Sequence, residues 1–195
     1  ALLEMIDGHI GNLARALRTN NSERAAFEAA WMAHAITDGL TPAHHFPLEQ
    51  AMAELRGGEG LETRTSILKK NLMKGDNGIE LIKNNWKFWG AKGMMTTHVA
   101  FEAGVASVVS YPRFKDAIPS SGEILQVKNH GYREYYLNQV HSVASMKMYD
   151  NFSKSGWTTD LAWQTNHELM PIIIKSVMLG WLAAVWNLEA EKSES

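Results

Sequence analysis

Three side chains in the first quarter of the chain have the types and spacing of a metal site. His34 and Asp38 are four residues apart in an apolar segment, so on a helix they lie one turn apart on the same face. Thr37-Asp38-Gly39 and Pro42 predict the end of that helix and a corner that returns His44 to this face. Two imidazoles and a carboxylate are ligands that zinc favours. The same residues also fit a surface ion pair followed by a polar loop.

The order of these residues favours the metal site. His34, Asp38, Pro42 and His44 form the pattern His-x3-Asp-x3-Pro-x-His, which resembles the signature of the zinc-dependent phospholipase C/P1 nuclease family. The apolar lead-in at residues 25–33 also resembles the helix that precedes the signature in that family. The resemblance implies an all-α, multi-helix bundle and a zinc-dependent hydrolase of phosphodiesters or phospholipids.

A second motif lies downstream, in the order that the family has. His98 and Glu102 form a His-x3-Glu pair, and both side chains project from one face of a predicted helix. The resemblance implies that His34 and Asp38 bind one zinc and that His44, His98 and Glu102 complete a second. Asp38 is able to bridge neighbouring ions, and it is the residue that we predict to take part in catalysis. Outside these motifs and a vaguely similar last helix, the resemblance does not extend.

The sequence departs from the family at three points. The amino-terminal tryptophan and nearby histidine that hold a third metal are missing, since the chain starts at Ala1 and its first tryptophan is Trp31. Few residues precede His34, and the gap from His44 to His98 is longer than in the family. We therefore expect two zinc ions rather than three.

His9 is a candidate replacement for a missing upstream ligand. Residues 2–18 and 23–37 have a helical period and are separated by a turn, so they predict an antiparallel hairpin. His9 and His34 are nearly equidistant from Asn21, which predicts that they sit at the same height. A solvated helix histidine explains His9 as well.

Composition limits the classes of function. A chain of 195 residues with 45% apolar and 21% charged residues predicts one domain, residues 1–195, with a substantial core. A net charge of −2 argues against sequence-independent nucleic-acid binding, and no specific nucleic acid is predicted. Because the chain has no cysteine, a zinc site must use histidine and carboxylate. Since the family is mostly exported, we expect a periplasmic or extracellular protein whose leader was removed. The oligomeric state stays open.

The remaining pattern is helical throughout. Further helices are predicted at 48–56, 61–75, 79–89, 94–109, 130–152 and 169–188, with a loop at 113–129. Trp86 and Trp89, three apart, are expected in the core, and the alternative is that they line a ligand groove. His141 is expected on an apolar face as a satisfied core residue, and the alternative is a late metal ligand or a phosphate contact. The segment 169–188 approaches membrane-spanning length, but its polar interruptions favour a buried central helix over a transmembrane span.

Three functions remain open at this point. The first is the zinc-dependent phosphoric diester hydrolase, in which a metal-activated water attacks phosphorus. The second is a helical metal-binding protein without turnover. The third is a helical interaction or membrane-associated module that uses its tryptophans and last helix. An open water position on the metal would favour the enzyme, and a closed four-ligand site would favour the structural role.

Overall fold

The computed structural model describes residues 2–60, 62, 65–110, 114 and 117–193, and these residues form an all-helical fold without a strand. The helices, in chain order, are α1 (Leu2–Arg18), α2 (Ser22–Leu40), α3 (Leu48–Leu55), α4 (Ile67–Asn71), α5 (Gly78–Trp89), α6 (Met94–Val109), α7 (Ser121–His130), α8 (Tyr132–Ser145), α9 (Met148–Ser155), α10 (Thr159–Gln164) and α11 (Met170–Ser193). A 3₁₀ turn, Pro42–His45, follows α2, and a π-helical turn, Thr165–Leu169, joins α10 to α11. The all-α prediction is confirmed.

The first two helices form the predicted hairpin. Asn20 takes the left-handed conformation at φ 52°, which reverses the chain. Asn21 then caps α2, because its side chain accepts a hydrogen bond from the Arg24 backbone N–H at 3.0 Å. The helix therefore begins at Ser22, one residue before the start predicted for the segment 23–37.

The main core lies between this hairpin, α8 and the last helix. α1 and α2 both pack against α11, and α8 closes the bundle from the other side. The largest buried side chains in this core are Ile6, Met32, Ile36, Leu40, Phe101, Tyr135, Tyr136, Met148, Leu169 and Leu179. Burial of such a contiguous apolar set is the main force that stabilises the bundle.

The helix that carries His34 and Asp38 runs one turn further than the sequence predicts. α2 continues to Leu40, and the corner falls at Thr41, whose backbone N–H donates to the carbonyl oxygen of Asp38. Gly39 lies inside the helix, and Tyr136 packs against it so closely that a Cβ there would overlap the Tyr136 hydroxyl. The glycine is thus a close-approach position and not a helix breaker.

Three further element predictions are corrected. The helix predicted at 61–75 is α-helical only at Ile67–Asn71 among the described residues, and residues 72–75 have no regular secondary structure, while 61, 63 and 64 lie outside the described residues. The loop predicted at 113–129 contains α7, which Ser120 and Glu123 begin with a reciprocal capping box. The single helix predicted at 130–152 is divided between α8 and α9, because Lys147 adopts a left-handed conformation at φ 52°.

The last helical segment is long and partly exposed. Thr159–Asn187 is long and apolar enough to cross a membrane by length and composition, and 39% of its most apolar window is buried inside the fold. Its packing against α8 includes a hydrogen bond from the Tyr132 hydroxyl to the Ser176 carbonyl oxygen, at 2.8 Å. Burial raises the pKa of Tyr132 well above its usual value, with help from the neighbouring tyrosines.

A second, smaller apolar cluster is formed by the chain between α2 and α6. Met52, Met73 and Phe88 are buried there and pack against partly buried residues of α3 and α6. Trp86 and Trp89 are not part of either core, since their exposed fractions are 70% and 46%. The prediction that these two tryptophans are core residues is wrong, because α5 buries the face that carries Phe88.

Candidate metal centre

Two distant stretches of the chain bring three metal-binding side chains together. His44 lies in the 3₁₀ turn after α2, and His98 and Glu102 lie one turn apart on α6. One ligand atom from each lies within 4.8 Å of the others. Among the described residues, these three histidine and acidic side chains are close enough together to hold one ion.

Both imidazoles of this His44–His98–Glu102 cluster meet one carboxylate oxygen. Nε2 of His44 and Nε2 of His98 are each 3.2 Å from Oε1 of Glu102. The two rings are stacked nearly parallel, with centroids 5.4 Å apart and an interplanar angle of 6°. This geometry points the two nitrogens and the carboxylate oxygen at a common volume.

The backbone orients the His44 ring. Its Nδ1 lies 3.1 Å from the carbonyl oxygen of Asp38, and a carbonyl can only accept, so we assign the ring proton to Nδ1. Nε2 of neutral His44 then has a lone pair that faces Glu102, an arrangement that needs a proton or a cation between the two atoms. Metal-binding histidines commonly have this carbonyl partner on the second nitrogen.

Asp38 and His34 extend the cluster along the end of α2. Oδ1 of Asp38 is 3.7 Å from Nδ1 of His44, and its Oδ2 is 3.4 Å from Nε2 of His34. His34 is mostly exposed and its ring meets Trp31 edge-on, with centroids 5.5 Å apart. Asp38 therefore lies between His34 and the His44–His98–Glu102 cluster.

An aromatic wall supports the cluster from behind. The Tyr149 ring contacts the His98 ring edge-on at 6.4 Å, and it also packs against Phe46 and Phe101. Burial, followed by the negative charge of Glu102, raises the pKa of Tyr149, so its hydroxyl stays protonated. His98 is 12% exposed, and its Nδ1 is buried without a hydrogen-bond partner among the described residues. Sequence reasoning missed Tyr149, because the helix break that places it was not predicted.

Beside Asp38 and His44 lies an apolar groove of about 350 Å³. It is lined by Leu2, Leu3, Asp38, Gly39, His44, His45, Tyr136, Leu137 and Val140. Burial raises the pKa of Tyr136 to about 12, and the charge of Asp38 contributes to the shift. The sequence carried no signal for this groove, since its walls come from α1, α2 and α8.

His9 does not join the cluster. Its Nδ1 lies 2.5 Å from Oε2 of Glu28, and Arg24 forms a second ion pair with the same carboxylate. Burial raises the pKa of Glu28, but hydrogen bonds and charges from His9 and Arg24 outweigh it, so the pKa is lowered overall. α1 and α2 cross so that His9 lies beside Glu28, more than one turn before His34.

The other histidines also lie apart. Nε2 of His45 lies 2.9 Å from the Gly39 carbonyl oxygen, and His167 stacks on Trp163 in the π-helical turn. His141 is exposed on α8, so its predicted place in the core is wrong.

The comparisons with known proteins add no relative: no family model matches the chain, and neither does any curated protein or solved structure. The resemblance to the phospholipase C/P1 nuclease family therefore stays a prediction from the two sequence motifs.

Proposed function

We propose that this protein is a zinc-dependent hydrolase of phosphodiester substrates, with phospholipids as the favoured class. The observation that carries the proposal is the convergence of two imidazole nitrogens on one carboxylate oxygen, each at 3.2 Å. Two histidines and one glutamate are a ligand set that catalytic zinc sites use, with a fourth position left for water. A zinc ion at such a site lowers the pKa of its bound water and neutralises phosphate oxygens.

The chain's own residues would divide the remaining tasks. His44, His98 and Glu102 would bind the ion, and the Asp38 carbonyl would keep the proton of His44 on Nδ1. The Asp38 carboxylate, 42% exposed, is placed to accept a proton from the attacking water or to share a second ion with His34. We infer one zinc at the three-residue cluster and a second at His34 and Asp38. His9 is engaged with Glu28, so we assign it no metal.

The groove beside the cluster supports a lipid substrate. Leucine and valine side chains from α1 and α8 line it, and it opens next to Asp38 and His44. An acyl chain fits such a surface better than a nucleotide does, and the net charge of −2 offers no general attraction for nucleic acid. The resemblance of the two sequence motifs supports a phospholipase C-like bundle as the proposed fold type and export as the proposed location.

Metal content is the first test of the proposal. Wild type, His44→Ala, His98→Ala and the exposed control His141→Ala are loaded with zinc, desalted and analysed by mass spectrometry. We expect at least one zinc per chain in wild type and the control, and loss of that zinc in both cluster variants. A wild type that holds no zinc after loading would overturn the proposal.

Turnover is tested separately on the zinc-loaded protein. The probes are bis(p-nitrophenyl) phosphate and phosphatidylcholine micelles, and Asp38→Asn is compared with wild type. A proton-transferring or ion-bridging carboxylate contributes about 10²–10⁴-fold to the rate, so we expect at least a 100-fold lower rate in the variant. If the protein binds zinc but hydrolyses neither probe, the enzyme proposal is overturned in favour of a metal-binding protein without turnover.

A further inference from the structure

Helix α5 is apolar on the face that it turns to solvent. Ile79, Ile82 and Trp86 have exposed fractions of 82%, 71% and 70%. At 3.6 residues per turn these three side chains lie within about 60° of one another, on the side opposite the buried Phe88. We call them the α5 stripe. A soluble helix normally places polar residues there, so the stripe requires an explanation.

The stripe lies in the most basic part of the chain. Residues 69–92 contain six exposed lysines against Asp76 and Glu80, a net charge of +4; one of the six, Lys74, forms an ion pair with Glu59 outside this range. Because the whole chain carries −2, the rest carries −6, and the positive charge is concentrated around α5. Lys83 and Lys87 follow the stripe along one flank of the same helix.

We propose that the α5 stripe and its lysines dock the protein on an anionic lipid surface. Exposed isoleucine and tryptophan side chains enter the boundary between headgroups and acyl chains, and flanking lysines attract anionic lipids. A protein partner would account for the apolar stripe but not for the lysines around it. An anionic bilayer accounts for both, because it offers an apolar interior and a negatively charged surface. Tryptophan is also the side chain that prefers the membrane interface.

The carboxyl end of α5 is hydrogen-bonded to α6, which carries His98 and Glu102. The Trp89 carbonyl oxygen at the end of α5 accepts a hydrogen bond from the Thr96 hydroxyl at 3.0 Å, two residues before His98. Trp89 in turn donates from its indole nitrogen to the Asn71 carbonyl oxygen at 2.7 Å. Docking is a property of this surface alone and requires neither zinc nor turnover.

The test measures binding of the full chain to lipid vesicles by co-sedimentation. The vesicles are pure phosphatidylcholine or phosphatidylcholine with about 30% phosphatidylserine, a fraction that gives the surface a clear negative charge. Wild type should bind the anionic vesicles at least 10-fold more tightly than the neutral ones. Ile82→Ser combined with Trp86→Ser should weaken this binding at least 10-fold, because the docking side chains are removed.

Charge is tested by Lys83→Gln combined with Lys87→Gln. Each lysine near an anionic surface contributes about fivefold to binding, so we expect a loss of about 25-fold in low salt and less in high salt. Matched controls are Leu125→Ser and Lys128→Gln, an exposed leucine and an exposed lysine on α7; both should stay within about twofold of wild type.

The outcomes separate docking from the proposed function. Binding that persists with chelator and in His98→Ala, but is lost in the α5 variants, supports the proposal whether or not zinc chemistry is found. Equal binding to neutral and anionic vesicles, equal loss in the controls, or no vesicle binding would overturn it. A wild-type dimer that Ile82→Ser with Trp86→Ser dissociates would also overturn it, because the stripe would then be a contact between copies.

Discussion

Glutamate 102 offers a direct test of the candidate metal centre through protein stability. Its Oε1 lies 3.2 Å from Nε2 of both His44 and His98, but its side chain is 45% exposed, so its contacts in the metal-free protein contribute little. We expect Glu102→Gln to change the metal-free unfolding free energy by less than about 1 kcal/mol. Its effect should appear only when zinc is present.

The expected size of that effect follows from mass action. Free zinc at 100 times its dissociation constant stabilises the folded wild type by about 2.7 kcal/mol. Loss of a partner that only orients a ligand weakens metal affinity about 10–100-fold, so loss of a ligand itself should reach about 100-fold. The variant would then gain only about 0.4 kcal/mol at the same zinc concentration.

Thermal unfolding measured by circular dichroism converts these values into a temperature. For a chain of this length, 1 kcal/mol shifts the midpoint by about 2–4 °C, so zinc should raise the wild-type midpoint by about 5–11 °C and the variant's by about 1–2 °C. Glu134→Gln, an exposed glutamate on α8, should behave as wild type. A full zinc shift in Glu102→Gln, or none in wild type, would refute the assignment of Glu102 as a ligand.

Three further predictions concern the scaffold. Gly39→Ala should lower the unfolding free energy in urea by about 1–2 kcal/mol because its Cβ overlaps the Tyr136 hydroxyl, and the loss should shrink in a Tyr136→Phe background; a more stable Gly39→Ala would contradict the close packing. Glu28 has a lowered pKa in the folded state, so its contribution is present above its unfolded value of 4.5 and is lost as the pH falls below it. The stability difference between wild type and Glu28→Gln, about 1–3 kcal/mol at neutral pH, should therefore shrink on acidification, whereas Glu23→Gln should show no such trend. Lys147→Gly should raise the unfolding free energy by up to about 1 kcal/mol, since lysine is strained at φ 52°; an unchanged or lower value would speak against that strain.

The sequence predicts best where local pattern and tertiary packing agree. Apolar periodicity and the flanking turn residues placed α1, α5 and α6 to within a residue or so. Of the three, α1 buries a continuous apolar face, whereas α5 and α6 bury Phe88 and Phe101 respectively. The spacing of His98 and Glu102 required only a helix to put them on one face, and α6 supplies it. The convergence of His44 on this pair could be expected only from the family resemblance, since 58 residues separate His44 from Glu102.

The errors have physical causes that can be named. Gly39 predicts a helix end, but the glycine lacks a side chain, and this leaves room for Tyr136, far along the chain, to pack against the helix backbone. Lys147 gives no local sign of the left-handed conformation that divides α8 from α9. The start of α7 was readable, since Ser120-x-x-Glu123 is a capping box, but the turn residues before it favoured a loop. Trp86 was assigned to the core because helical spacing alone does not say which face is buried.

The contact between the His44 and His98 rings has a consequence for how the chain evolves in length. The chain leaves the main bundle at His44 and returns at His98 with ring centroids only 5.4 Å apart, so everything between them is an excursion that begins and ends at one point. That excursion has its own small apolar cluster, separate from the main core. The length of the excursion has only a weak effect on the free energy of folding, because the entropic cost of closing a loop rises slowly with loop length. Insertions and deletions between the two histidines can therefore alter what the protein contacts and leave the candidate metal centre in place.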